Sequence, residues 1–165
     1  MIKTEAIILK SADQNETGRL LTVYSEKLGK INIQAKGVKK VESKLRPHIE
    51  PISYSQMILV EGKNSLILKD AILINQFLNI KKGLEKIKIA KELASLIDDA
   101  LVGEERDEEI WKLILETFED LNGTGSAFAN LPAGRQGASA DKFEKKLIQL
   151  LGYDPEQIKQ IENLY

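Results

Sequence analysis

The chain has 165 residues, 42% of them hydrophobic and 30% charged, which is enough for one medium domain or two small ones with a packed core. The absence of cysteine excludes disulfides, thiolate metal sites and a cysteine nucleophile, and the single histidine excludes multi-histidine metal sites. The sequence contains no run of about 18 uncharged apolar residues, the length that spans a membrane. The first residues also lack the layout of a signal peptide, so we expect a cytoplasmic protein.

The first half of the chain has the pattern of short β-strands separated by polar turns. In residues 30–36, apolar and polar side chains alternate, which predicts a half-buried strand whose exposed face carries Lys30, Asn32, Gln34 and Lys36. The predicted strands are 4–10, 20–25, 30–36, 52–60 and 66–75. Five strands in about 75 residues indicate a small barrel. An OB-fold is the best-known five-stranded case, and an SH3-like barrel fits the pattern almost as well.

The second half changes to helical periodicity. The predicted helices are 87–101, 108–121, one from near Asp141 to Gly152, and one that starts at Asp154. Residues 123–140 are rich in Gly and Ala, which predicts a flexible insert. The predicted fold class is therefore mixed, β then α: an OB-fold domain over residues 1–80 and a small all-α domain over residues 81–165.

Charge is distributed unevenly between these halves. Residues 1–82 carry 14 Lys and Arg against 8 Asp and Glu, a net of +6, whereas residues 83–165 carry 10 against 17, a net of −7. Such asymmetry is typical of two domains with different partners, and the basic half would attract polyanions. Ordinary solubilising charge is the alternative interpretation.

The candidate binding site lies at the end of the third predicted strand and in the segment after it. Five cations fall within 11 residues and are opposed only by Glu42. On a flexible loop, such cations can neutralise phosphates without reading base sequence; a solvated surface loop is the alternative. The predicted nucleic-acid-binding residues are Lys30, Gln34, Lys36, Lys39, Lys40, Lys44, Arg46 and His48.

Other side chains that could carry function have a simpler structural interpretation. The aromatic residues Tyr24, Tyr54 and Phe77 are better explained as core than as base-stacking platforms, and Trp111 lies on an apolar helical stripe. An acidic cluster could bind a divalent metal, but the start of a helix explains it better. Its members are Glu104, Glu105, Asp107, Glu108 and Glu109. We predict no catalytic residue, no metal site and no cofactor.

Several segments, in their order and spacing, resemble the RecO family of bacterial recombination mediators. They are Glu5-Ala6-Ile7-Ile8-Leu9, residues 16–22, Leu28-Gly29-Lys30-Ile31, residues 35–40, residues 43–51, Phe143-Glu144 and residues 150–155. The resemblance implies an OB-fold followed by a helical domain, binding to single- and double-stranded DNA, annealing of single strands and help in recombinase loading. It also implies RecR, single-strand-binding protein and RecA as partners, and it implies no catalysis.

The chain departs from the family pattern in two places. Many family members continue into a four-cysteine zinc module, whereas this sequence has no cysteine and ends at Tyr165, so we expect a shortened form without that module. The segment 123–140 is also longer than the pattern needs. Two alternatives stay open: an OB-fold protein that binds RNA or a ribosome, and a metal-dependent nuclease that uses the acidic cluster.

Overall fold

Five strands close into a barrel in the computed structural model, which describes residues 1–103, 105–123 and 137–152, with the backbone alone at 137–140. The strands are β1 Ile2–Asp13, β2 Arg19–Ser25, β3 Gly29–Ala35, β4 Ser53–Glu61 and β5 Leu66–Asn75. Their order around the barrel is β1-β2-β3-β5-β4, and β4 pairs with β1 to close it. All pairs are antiparallel except β3 with β5. The OB-fold interpretation is confirmed.

The barrel interior is filled by alternate residues of each strand, as a half-buried strand requires. In β3, the apolar members of the predicted alternation are buried while Lys30, Asn32 and Gln34 face outward. This first core consists of Ala6, Ile8, Leu21, Val23, Ile31, Ile33, Ala35, Val38, Ile49, Met57, Leu59, Leu68 and Ala71. Two of these side chains, Val38 and Ile49, come from outside the strands.

The segment that joins β3 to β4, residues 36–52, is called here the basic connection. The sequence predicts a flexible loop, and the structure differs because this segment is anchored to the barrel. Val38 and Ile49 are buried in the barrel core and Leu45 packs against it. The hydroxyl of Ser55 donates to the carbonyl oxygen of His48 at 2.7 Å. The connection therefore presents its charged side chains from a fixed backbone.

Four helices follow the barrel: α1 Leu78–Lys82, α2 Leu84–Ala100, α3 Glu108–Asn122 and α4 Gly137–Leu150. The short α1 was absent from the predicted elements. Helix α4 begins four residues before the predicted start at Asp141 and includes residues 137–140 of the predicted insert. The remainder of that insert after Gly123 and the helix predicted from Asp154 lie outside the described residues. None of the described helices is long and apolar enough to cross a membrane.

A second core joins the helices to the outside of the barrel. Tyr24 of β2 stacks on Trp111 of α3 with ring centroids 6.4 Å apart, and Tyr54 of β4 lies 6.0 Å from the same indole. Phe77 packs on Phe118 at 5.9 Å. All these rings are buried, so the prediction that they are core residues is confirmed. The division into domains at residue 80 stays a prediction; that residue lies within α1, and this core includes residues on both sides of it.

Candidate nucleic-acid interface

Four of the predicted site residues project from the basic connection into solvent. Their side chains are exposed and make no hydrogen bond or ion pair with any other residue that the structure describes. They are Lys36, Lys40, Lys44 and Arg46. The buried side chains of the connection anchor its backbone, so these four cations are presented to solvent from one segment at the end of β3, which also exposes Glu42 and Glu50. Such a segment suits polyanion binding, since these cations need break no ion pair with a described residue to contact phosphate.

Lys39 has a different environment, although it lies in the same segment. Its Nζ donates to Asp13 Oδ2 at 3.0 Å and to the carbonyl oxygen of Asn15 at 3.2 Å, and its backbone N–H donates to Thr17. The hydrogen bond from Lys39 is the main cause that lowers the pKa of Asp13, and Arg19 lies 3.4 Å from the same carboxylate. Lys39 thus holds the basic connection to the turn between β1 and β2.

His48 also has a structural partner. Strand β5 pairs with β3 over two residues only, and further along β5 the Leu73 N–H donates to His48 Nδ1 at 3.1 Å. The imidazole is partly buried. Because Nδ1 accepts this bond, the neutral ring carries its proton on Nε2. His48 therefore ties the connection to β5 and helps to fix the position of the neighbouring Arg46.

The two predicted residues on the face of β3 are not grouped with the connection. Gln34 is half-buried between Leu20 of β2 and Ile67 of β5. The ammonium of Lys30 lies at the far end of the strand, where it donates to the carbonyl oxygen of Asp98 at 2.6 Å and to its Oδ1 at 3.3 Å. Five residues of extended chain lie between Lys30 and Lys36, so six steps of about 3.3 Å separate the two by about 20 Å.

Two further cations of the barrel lie outside the set of residues predicted from the sequence. Lys63 is exposed in the turn between β4 and β5, and β5 begins beside β3 through the pairs Ile33–Leu66 and Gln34–Ile67. The loop between strands 4 and 5 is a recurrent binding element of OB-folds, so a lysine in the predicted hairpin loop was the available signal. Lys10 of β1 lies 2.7 Å from Asp98 Oδ2. Strand pairing brings Lys10 close to Lys30, and no local sequence pattern indicates that pairing.

Base stacking has no platform among the described residues. Every described Phe, Tyr and Trp is buried, and these rings form the core between barrel and helices. The surface therefore offers cations and amides without exposed aromatic rings. Contacts of that kind hold the phosphate backbone and leave base identity unread.

The acidic cluster serves the start of α3. Asp107 is the N-cap residue, and its Oδ1 accepts hydrogen bonds from the backbone N–H groups of Glu109 and Ile110. Glu108 pairs with Lys112 at 3.0 Å one turn later. Within the described ranges, no group of three or more acidic, histidine or cysteine side chains is arranged to hold a metal ion. Glu104 lies outside those ranges. The helix-start interpretation is confirmed for Asp107.

Comparison with known proteins matches residues 1–77, the whole barrel, to the family model described as "Recombination protein O N terminal". Curated proteins named "DNA repair protein RecO" are similar over 93% of this chain. The protein from Clostridium perfringens is 31% identical and is covered over 59% of its length. That from Dehalococcoides mccartyi is 32% identical with 57% covered, and that from Roseiflexus sp. is 29% identical with 51% covered. The chain thus spans about half to three-fifths of these relatives, and the resemblance to RecO is confirmed.

Proposed function

We propose that this chain, a relative of RecO through its barrel and helices, acts in DNA repair by binding the phosphate backbone of DNA on the basic connection. One observation carries the proposal: Lys36, Lys40, Lys44 and Arg46 are held on an anchored backbone with no partner among the described residues. Lys63, exposed in the turn between β4 and β5, is a further candidate phosphate contact. Binding to single-stranded and to duplex DNA follows, since both present the same charged backbone.

Annealing of complementary strands is consistent with the same surface. A strand held through its phosphates, with no ring inserted between its bases, keeps its base edges available for pairing. Cations between two strands also screen the repulsion between their phosphates. The proposed role of the barrel is therefore to bring two strands together, and no bond-breaking step is assigned to it.

The basic connection is tested by reversing two of its free cations in the full chain. Lys40→Glu with Lys44→Glu should weaken binding to different sequences about equally, by roughly tenfold or more at low salt, and should flatten the plot of log affinity against log salt by roughly 0.7 units per lost contact on single strands. The measurement is a salt titration with labelled single-stranded and duplex oligonucleotides. Both lysines are exposed, so the melting temperature should stay close to that of the wild type.

The matched control makes the same change of charge on the helices. Lys88 and Lys91 of α2 are exposed and have no partner among the residues described. Lys88→Glu with Lys91→Glu should leave affinity for DNA much closer to wild type. Equal losses in the two variants would mean that net charge, and not the basic connection, determines binding. Preference for RNA in a competition assay would favour the RNA-binding alternative instead.

The helices are the proposed site of partner recruitment. RecR, single-strand-binding protein and RecA are the partners that the resemblance to RecO implies. The exposed face of α3 is acidic through Glu109, Glu116 and Glu119, so it would repel DNA and is free to meet proteins. Reversal of Glu116 and Glu119 to Lys should leave the affinity for DNA intact or raise it slightly, while any defect appears in pull-downs with the three proteins.

A further inference from the structure

Three charged groups meet where the C-terminal end of α2 reaches the barrel. The carboxylate of Asp98 lies 2.7 Å from Lys10 Nζ through Oδ2 and 3.3 Å from Lys30 Nζ through Oδ1. Two ammonium groups therefore share one carboxylate, and the charge of the neighbouring Asp99 also acts on Lys10. Lys30 also donates to the carbonyl oxygen of Asp98 at 2.6 Å, where it stabilises the negative end of the α2 dipole.

This site lies on the same outer face of the barrel as the proposed DNA surface. Lys10 pairs in register with Thr22, and Thr22 with Asn32, so these side chains form one row across β1, β2 and β3. The hydroxyl of Thr22 donates to Asn32 Oδ1 at 3.0 Å. The next row along β3 contains Gln34, and beyond it lies Lys36 of the basic connection. A polar path thus joins the free cations at one end of β3 to the paired cations at the other.

From this geometry we propose that Lys10 and Lys30 form a second phosphate-binding site, and that Asp98 occupies the position of the phosphate in the unbound protein. The inference rests on the proposed DNA binding. A carboxylate and a phosphate oxygen make the same charge-assisted bonds to ammonium groups. The site is accessible mainly through Lys10, whose side chain is 47% exposed, whereas the side chains of Asp98 and Lys30 are 24% and 18% exposed.

Asp98 then acts as an autoinhibitory group that lowers the affinity of Lys10 and Lys30 for the phosphates of DNA. A strand that extends from the basic connection has to displace the carboxylate or tolerate it nearby. The hydrogen bond from Lys10 is the main cause that lowers the pKa of Asp98, so the carboxylate is charged at neutral pH and competes fully with DNA. Displacement leaves Lys30 its bond to the Asp98 carbonyl oxygen, which belongs to the backbone.

Removal of the carboxylate from the full chain tests the proposal, with DNA binding measured by salt titration on a labelled single strand. Asp98→Asn should bind about three- to tenfold more tightly at low salt, and its salt dependence should be steeper by up to roughly 1.4 units, the value for two additional contacts on a single strand. The gain should disappear in the double variant Asp98→Asn with Lys10→Gln. Asp98→Ser removes the same charge and gives an independent measurement if the asparagine variant has a lowered melting temperature.

The neighbouring Asp99 provides the matched control. It is exposed and acts on Lys10 only through its charge, with no hydrogen bond or ion pair to any residue that the structure describes. Asp99→Asn changes the net charge equally and should raise the affinity much less than Asp98→Asn. Equal gains in both variants, or weaker binding by a folded Asp98 variant, would overturn this inference and leave the proposed function intact. A wild-type chain that binds no DNA at low salt would overturn both.

Discussion

The outside of the barrel has two sides with opposite chemistry. On one side, Ile7, Leu9, Tyr24 and Tyr54 point away from the barrel axis, yet they are buried because the helices cover them. On the other side, the outer face of β3 and the basic connection carry amides and cations that contact solvent. The comparison shows that apolar packing joins the helices to one side of the barrel, and that the side left uncovered is the side suited to a charged ligand.

The apolar side should be the more sensitive to substitution. Trp111 is 6% exposed and its indole contacts Tyr24 and Tyr54 of the barrel. Trp111→Ala removes that contact and leaves a cavity, which costs about 3–5 kcal/mol for a large aromatic residue in a core. We expect urea unfolding to show a loss of this size. Leu115→Ala, at a partly buried position of the same helix, should cost clearly less.

The structure leaves no space for a side chain at Gly29, where β3 meets the connection between α2 and α3. Gly29, at the start of β3, has φ +70°, and a Cβ added there would lie 2.3 Å from the carbonyl oxygen of Glu105 in the connection between α2 and α3. Gly29→Ala therefore combines backbone strain with a steric clash, a cost of about 2–3 kcal/mol. Gly37, with φ +69° and open space around it, is the control, because its substitution brings the strain without the clash. Equal losses in thermal unfolding would refute the close packing at Gly29.

The strands and the long helices could be predicted because their buried residues repeat at a fixed period. The plug formed by Val38, Leu45 and Ile49 could not, since its members are separated by 7 and 4 residues within a polar segment and show no period of 2. The helix α1 is only five residues long, too short for a helical stripe. Sequence pattern therefore predicted the architecture and missed the element that anchors the candidate site.

The candidate site was predicted at the level of composition and not of individual partners. A count of cations finds the basic connection, and four of its five cations are free in the described structure. It cannot show that Lys39 binds Asp13, 26 residues away, or that Lys30 binds Asp98, 68 residues away. Such pairs depend on which strands and helices become neighbours, and that information is tertiary.

The smallest expected effect on stability concerns the ion pairs of Asp98 with Lys10 and Lys30, where α2 meets the barrel. Hydrogen bonds, first from Lys10 and then from Lys30, lower the pKa of its carboxyl below the ordinary value of 3.8. A lowered folded-state pKa stabilises the protein above the ordinary value, and this contribution is lost as the pH falls through the folded-state pKa. Because Lys10 is half exposed, the pair should contribute about 0.5–1 kcal/mol.

The difference in unfolding free energy between wild type and Asp98→Asn should therefore be constant from about pH 7 to pH 5 and shrink below 3.8. High salt should shrink it at neutral pH as well, since exposed ion pairs are screened. A difference that persists unchanged in acid would show that it does not arise from the charge of the Asp98 carboxylate, since Asp98→Asn keeps the backbone carbonyl that Lys30 contacts, and that charge adds nothing to the apolar packing between α2 and the barrel.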